Sequence, residues 1–257
     1  MTTENTSQIS RRSMLRTSGA LVAGGAVLAA CGTTPTVTRI GETPTIPKLT
    51  EATVSDAALL RTAMSVEKMV ANMLSDSRLT GLADKTSAPI IAAFAAAHNA
   101  HLTALAPMVT AHGGQPYNEP NEKLMVAYGE PALALIAEGK KAVDVLALTL
   151  ALETLVAGTY QYFVALATEP ALRAEMMRFG AKSSRRAAVA SQLIDGGIKA
   201  FGQQFDDQGI LIPGTIATFP AAFGSLSSVQ VSLGAENEVG TRATILMDTP
   251  SLNSIIY

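Results

Sequence analysis

Residues 87–112 read SAPIIAAFAAAHNAHLTALAPMVTAH, and this stretch decides the class of fold. Its large apolar residues recur three and four positions apart, which predicts one helix from Ser87 to His112. Pro89 lies in the first turn, where proline is tolerated, and Gly113–Gly114 ends the helix. Pro107 is expected to kink the last turns. The stripe that faces the interior combines apolar side chains with two imidazoles: Phe94, His98, His101, Leu105 and Met108.

Three more stretches with the same periodicity predict helices over residues 55–77, 141–168 and 171–195. The first of them has Glu67 in its apolar stripe, and the second has Glu153. The helix over 171–195 has six inward positions, and two of them allow alternatives. The six are Met176, Phe179 or Gly180, Ser183, Arg186 or Ala187, Ala190 and Ile194.

The connection between the helices predicted over 87–112 and 141–168 contains Pro116, Pro120 and Pro131. A short helix over residues 123–128 is predicted within it. This connection is long enough to cross a bundle from one end to the other. The expected fold is therefore all-α, a four-helix bundle over residues 51–200 with a long crossover.

The last sixty residues have a different pattern. Residues 229–233 and 241–247 alternate between apolar and polar side chains, and the turn-rich stretch Gly234–Gly240 separates them, which predicts a β-hairpin. The apolar end, Pro250–Tyr257, is expected to dock on the helices rather than to hang free in water. We therefore expect a C-terminal extension over residues 201–257 that packs on the bundle.

The first thirty residues have the features of an export signal. Arg11 and Arg12 resemble a twin-arginine signal, and the apolar run that follows is too short to span a bilayer. The run ends in LAAC, which resembles a bacterial lipobox that is cleaved before Cys31, whose thiol then receives a diacylglycerol. The alternative is an ordinary signal peptide with an unrelated cysteine. Residues 31–50 are rich in Thr and Pro and are predicted to form an extended tether.

Composition excludes several classes of protein. Lys and Arg number 19 against 21 Asp and Glu, and no basic stripe is present, so nucleic acid is not an expected partner. The single cysteine excludes a disulfide framework and any cysteine-based zinc or iron–sulfur site. Ser183 and Ser184 have no His or Asp nearby in a nucleophile arrangement, so hydrolase chemistry is not supported.

The polar residues of the apolar stripes carry the functional signal. Glu67, His98, His101 and Glu153 all fall near the midpoints of their helices, so they can meet at one level of a bundle. Burying a lone carboxylate is costly unless it is paired or bound to a metal. Two carboxylates and two imidazoles are a ligand set for iron, manganese or zinc. Alternatively, each Glu reaches solvent at the surface and each His is a hydrogen-bonded core residue.

Two other residues near these stripes have simpler interpretations. Tyr160 follows Glu153 by one heptad and can donate to the same centre, although such a tyrosine is more often a core residue. His112 lies in the last turn of its helix, where a cation suits the helix dipole, so capping is its expected role.

Taken together, these features resemble the ferritin-like domain of exported desiccation-related and actinobacterial twin-arginine proteins, over about residues 50–200. In that family the first and third helices each supply one Glu, and the second and fourth each supply Glu-x-x-His, to hold two metal ions. The resemblance places Glu67 and Glu153 at the single-Glu positions and His101 at the His position of the second helix.

The chain departs from the family pattern at three of the six ligands. His98 stands at the Glu of the second helix, and Ser183 and Arg186 stand at the Glu and the His of the fourth. Both bridging carboxylates are therefore missing, and a permanent cation is added. The resemblance then implies a degenerate di-metal centre without a cofactor, in which Arg186 pairs with Glu67 or Glu153. The alternative is a single iron, manganese or zinc ion on Glu67, His98, His101 and Glu153, with Arg186 turned away.

These expectations describe a lipoprotein on the outer face of the bacterial cytoplasmic membrane, held in the cell envelope by a lipid on Cys31. We expect a non-catalytic interaction or accessory protein with an envelope protein as its partner. The alternative is a metal-binding redox or storage protein. Twin-arginine export is compatible with both, because that route carries folded proteins with or without cofactors.

Overall fold

The computed structural model describes residues 54–195, 207–208 and 229–257. The predicted signal with Arg11 and Arg12, the lipidation site Cys31 and the tether over residues 31–50 lie outside the described residues. The same holds for most of residues 196–228, which include the first part of the predicted C-terminal extension.

The described part of the chain is mostly helical, with a two-stranded antiparallel hairpin near the C-terminus. In chain order the helices are α1 Asp56–Ser75, α2 Ser77–Thr80, α3 Ser87–Ala111, α4 Glu122–Leu124, α5 Glu130–Gly139, α6 Ala142–Leu166 and α7 Pro170–Asp195. A π-helical turn, Met125–Gly129, joins α4 to α5, and a 3-10 turn, Leu252–Ser254, lies near the C-terminus. The strands are β1 Val229–Glu236 and β2 Arg242–Met247.

Local sequence explains where α1 begins and ends. Ser55 is the N-cap of α1, because its side chain accepts a hydrogen bond from Ala58 N at 3.2 Å. Asp76 ends α1 and caps α2 at once, because its carboxylate accepts from Arg78 N at 2.8 Å. The expected helix over 55–77 is therefore one long helix followed by a single extra turn.

The connection after α3 contains more helix than the sequence predicted. The short helix expected over 123–128 extends through the π-helical turn into α5 and ends only at Gly139. Asn121 begins this segment by accepting from Leu124 N at 3.2 Å. Pro131, one of the prolines of the predicted connection, lies in the first turn of α5, where proline costs no hydrogen bond. The predicted short helix is therefore the beginning of a longer helical segment.

The core lies between the long helices. Helix α1 packs on α3, α6 packs on α7, and α1 also contacts α6. The largest fully buried side chains include Leu59, Leu60, Met69, Tyr160 and Phe163. At the end of the α3 stripe, Val109 is buried and the predicted Met108 is only half-buried, because an α-helix turns slightly less per residue than a strict heptad requires.

The predicted hairpin is confirmed. Val231 pairs with Ile245 and Leu233 with Ala243, and a bulge follows at Gly234, whose φ of +82° suits glycine. Gly234 N donates to Asp144 Oδ2 at 2.8 Å, and Arg242 forms an ion pair with the same buried carboxylate. This anchor on α6 was not anticipated, because Asp144 lies in a first helical turn where an acidic residue is ordinary.

The C-terminal residues lie against α1 and the connection. Ile256 N donates to Thr62 Oγ1 at 2.9 Å, and the carbonyl of Tyr257 accepts from Arg61 at 2.5 Å. The Asn121 amide donates to the Ser254 carbonyl at 2.8 Å. Backbone groups at the end of the chain are thus satisfied by the helical part of the protein.

Two helices, α3 and α6, are long and apolar enough to cross a membrane by length and composition. The core helix of a soluble protein meets the same criteria, and 78% of the apolar window of α6 is buried within the fold. The corresponding value for α3 is 39%, because its outward face is lined by exposed alanines.

Candidate functional site: a buried polar centre

Four helices contribute polar side chains to one buried cluster, which we call the polar centre. Its members are Glu67 on α1, His98 and His101 on α3, Glu153 and Tyr160 on α6, and Ser183 and Arg186 on α7. Glu67, His98 and Glu153 have no exposed surface. The helical spacing explains the convergence, since residues three, four or seven apart on a helix lie on the same face.

Glu67 accepts hydrogen bonds from three side chains. Tyr160 Oη donates to Oε1 at 2.7 Å, His101 Nδ1 to Oε1 at 2.9 Å, and His98 Nδ1 to Oε2 at 2.5 Å. Burial alone raises the pKa of this carboxyl, but the charge on His98 and the hydrogen bonds from His101 and His98 outweigh burial and hold the pKa well below its ordinary value. Glu67 is therefore ionised although it is fully buried.

His98 bridges the two carboxylates. Its Nδ1 contacts Glu67 Oε2 at 2.5 Å, and its Nε2 contacts Glu153 Oε1 at 3.0 Å. An ionised carboxylate can only accept hydrogen bonds, so both ring nitrogens carry protons and the ring is an imidazolium. Burial lowers the pKa of His98, but Glu67 and Glu153 outweigh it and raise the pKa to about 9.

Arg186 completes the charge balance. Its Nε donates to Glu153 Oε1 at 2.7 Å, and its Nη2 donates to Ser183 Oγ at 2.8 Å. Of the two carboxylates considered in the sequence analysis, Arg186 pairs with Glu153. Two negative charges then face two positive charges inside the protein. Among the described residues Glu153 Oε2 has no hydrogen-bond partner, so one carboxylate oxygen of the centre remains open.

The aromatic ring of Phe179, which also lies on α7, packs against the polar centre. The Phe179 ring stacks on Tyr160 with centroids 5.4 Å apart, and it meets the edge of the His101 ring at 4.8 Å. Burial, followed by the charge of Glu67, raises the pKa of Tyr160 well above its ordinary value. The Tyr160 hydroxyl is therefore a permanent donor to Glu67. The sequence favoured a core role for this tyrosine, and its one-heptad distance from Glu153 was the signal for the role it has.

The ligand atoms of Glu67, His98 and His101 all lie within 4.8 Å of one another, so these three residues form a possible metal-binding group. Zinc–nitrogen and zinc–oxygen bonds of about 2.0–2.2 Å in a tetrahedron place neighbouring ligand atoms about 3.4 Å apart. His98 Nδ1 and Glu67 Oε2 are 2.5 Å apart, which is closer than two neighbouring ligands of one zinc ion. As they stand, these atoms are close enough for hydrogen bonds and would have to move apart to bind one zinc ion.

The structure brings together the residues that the sequence analysis selected for the centre. His112, the residue expected to cap a helix, ends α3 and donates its backbone N–H to Met108 O at 3.1 Å. Its ring nitrogen Nδ1 lies 2.8 Å from the same carbonyl. His112 takes no part in the polar centre, and its other ring nitrogen, Nε2, lies 3.4 Å from Glu169 Oε2.

Comparisons with protein-family models, with curated proteins and with solved structures found no match to this chain. The ferritin-like resemblance therefore depends on the residues quoted above. Function has to be argued from the geometry of the site.

Proposed function

We propose that the protein is an exported, lipid-anchored cell-envelope protein with a ferritin-like four-helix bundle. In this proposal a metal-free ion-pair network replaces the di-metal centre, and the protein acts as a non-catalytic interaction or accessory protein. Its partners are the membrane, through the lipid on Cys31, and an envelope protein.

The observation that carries the proposal is the position of His98 between two carboxylates. Both nitrogens of the ring are used as donors at 2.5 and 3.0 Å, so neither offers a lone pair to a metal. Arg186 supplies the second positive charge that the two carboxylates require. A di-metal centre needs the opposite, an excess of carboxylates around two cations.

The arrangement of the helices supports the bundle. The beginning of α1 and the end of α3 lie together at Asp56 and His112, so these two helices run antiparallel. Thr168, just after α6, donates its backbone N–H to Asp56 at 2.9 Å, so α6 also ends where α1 begins. Since α3 and α6 end at the same side, the chain between them crosses the length of the molecule, as in ferritin-like folds.

A structural role suits the polar centre better than catalysis does. Glu67, His98 and Glu153 have no exposed surface, so no substrate reaches them without opening of the helices. Each of the four helices contributes at least one member, and a buried hydrogen-bonded network restricts the ways in which helices can pack. We propose that it fixes the register of the four helices, a role attested for buried polar groups in other helical proteins.

Elemental analysis tests the centre. The full chain and its His101→Gln variant are purified side by side and dialysed, and iron, manganese and zinc are measured per chain. The proposal expects the variant to contain as much metal as the unaltered protein. An ion present at one per chain and lost in His101→Gln would show that the centre binds metal, and the proposal would be abandoned.

Membrane fractionation tests the anchor. We expect Cys31→Ala to release the protein from membranes or to leave it unprocessed, whereas the neighbouring change Thr33→Ala should leave it membrane-bound. Replacing Arg11 and Arg12 together with Lys should stop export. Retention of the Cys31→Ala protein on membranes through high-salt washes would contradict lipidation at this residue.

A second candidate is a redox or storage protein with one iron, manganese or zinc ion. The convergence of Glu67, His98 and His101 favours it, and the open Glu153 Oε2 offers a fourth ligand atom. This candidate requires His98 to give up a proton and Arg186 to leave Glu153. The His101→Gln comparison decides between the two candidates.

A further inference from the structure

A second group of metal-ligating side chains lies at the end of the helices, outside the polar centre. Asp56 begins α1, His112 caps the end of α3, and Glu169 directly precedes α7. One ligand atom from each lies within 4.8 Å of the other two. Asp56 and Glu67 are separated by eleven residues of α1, or about 16 Å along the helix axis, so the two groups are distinct.

The orientation of His112 directs one ring nitrogen toward the other two side chains of this group. Nδ1 lies 2.8 Å from the Met108 carbonyl, so it carries the proton and donates it there. The other nitrogen, Nε2, is buried and makes no hydrogen bond to any described residue. It lies 3.4 Å from Glu169 Oε2. A lone pair and a carboxylate oxygen repel each other at this distance unless a cation lies between them.

The two carboxylates are suited to that cation in different ways. Asp56 is buried, and Thr168 orients it through N–H and hydroxyl donors at 2.9 and 2.5 Å. The Glu169 side chain is 59% exposed and can adjust its position. The carbonyl end of α3 adds negative potential at the same place.

The distances favour a metal ion over a direct hydrogen bond. Neighbouring ligands of a tetrahedral zinc ion lie about 3.4 Å apart, and His112 Nε2 and Glu169 Oε2 have this separation. His112 Nδ1 donates its proton to a backbone carbonyl. Zinc-binding histidines commonly make such a hydrogen bond with the ring nitrogen that does not bind the metal, and it fixes their tautomer. We infer that Asp56, His112 and Glu169 form a binding site for one divalent cation with the chemistry of zinc, which joins the ends of α1, α3 and α7.

Calorimetric titration of the full chain with zinc chloride at pH 7.5 tests this site. We expect one Zn²⁺ per chain. His112→Gln and Glu169→Gln should each weaken binding roughly tenfold or more, since even residues that only orient ligands contribute 10–100-fold. Glu169→Gln is the cleaner variant because its side chain is largely exposed and its loss does not threaten the fold. Glu238→Gln, an exposed glutamate in the hairpin turn, is the matched control and should bind as the unaltered chain does.

The result also separates this site from the polar centre, on which the inference does not depend. If zinc bound in the polar centre instead, His101→Gln would weaken its binding and His112→Gln would not. That result would overturn the inference. The inference would also be overturned if the unaltered chain bound no zinc. In that case His112 would be protonated, and its own charge would face Glu169 in place of a metal ion. Equal losses in Glu169→Gln and Glu238→Gln would overturn it as well, since they would mark a general charge effect.

Discussion

His98 in the polar centre and His112 at the helix ends each lie near two carboxylates, but their surroundings differ. His98 contacts a carboxylate with each nitrogen, at 2.5 and 3.0 Å, and Arg186 provides a second cation. His112 directs one nitrogen to a backbone carbonyl and holds the other 3.4 Å from Glu169. The partner of the second nitrogen thus determines whether an imidazole is a cation or a ligand.

The largest loss of stability is expected when Arg186 is replaced, because its charge balances the carboxylates of the polar centre. Arg186→Ala leaves Glu153 buried with one positive charge fewer, and losing one partner of a buried pair typically costs about 3–5 kcal/mol of the free energy of unfolding. Chemical denaturation measures this loss. Arg185→Ala is the matched control, because Arg185 is exposed next to it in sequence. Equal effects of the two variants would show that Arg186 does not stabilise the centre.

The pH dependence of stability separates His98 from His112. Since the pKa of His98 rises from 6.5 to about 9 on folding, its contribution is complete below pH 6.5 and disappears as the pH rises through about 9. At 1.36 kcal/mol per pKa unit, this is on the order of 3 kcal/mol. Denaturation across this range should show the decline in the unaltered chain and in His112→Gln, but not in His98→Gln. A decline that persists in His98→Gln belongs to another group.

Glu67 should give the opposite dependence at acid pH. Its pKa falls on folding from an ordinary value of 4.5, so its contribution is present above pH 4.5 and is lost as the pH falls further. Glu67 and His98 therefore both contribute fully to the free energy of unfolding only between about pH 4.5 and 6.5. Chemical denaturation from pH 3 to 5 checks this, and stability that does not fall with acidification would contradict an ionised Glu67.

A smaller effect is expected for the tyrosine donor. Tyr160→Phe removes one hydrogen bond to an ionised, buried carboxylate and keeps the ring, which should cost about 1.5–3 kcal/mol. Tyr162→Phe on the same helix is the control, since Tyr162 is half-buried and is not among the donors to Glu67. Similar losses in both variants would show that the contribution of Tyr160 comes from packing.

The sequence predicted the polar centre because its members obey helical spacing. Glu67, His98, His101 and Glu153 each interrupt an apolar stripe, and periodicity alone brings such positions to one face. The long helices and the hairpin follow from the same kind of local pattern. The partner of Arg186 was left open between two carboxylates, because spacing does not determine the direction of a long side chain.

The cluster at the helix ends had no comparable signal in the sequence. Asp56, His112 and Glu169 lie in caps and turns, where polar residues are ordinary, and they meet only through the packing of three separate helices. Asp144 was missed for the same reason, because its partners Gly234 and Arg242 lie about ninety residues away. Helix α5 had no clear start signal at Pro131, since a proline ends one helix as readily as it begins another.

The protonation state of His98 decides whether the polar centre is a metal-free ion-pair network. The chain has three histidines, so ¹⁵N NMR of histidine-labelled protein gives few signals, and His101→Gln and His112→Gln assign them. At pH 7.5 we expect both ring nitrogens of His98 to be protonated and to stay so when zinc is added. A His98 ring with one unprotonated nitrogen at this pH, or one that loses a proton to added zinc, would contradict the metal-free ion-pair centre.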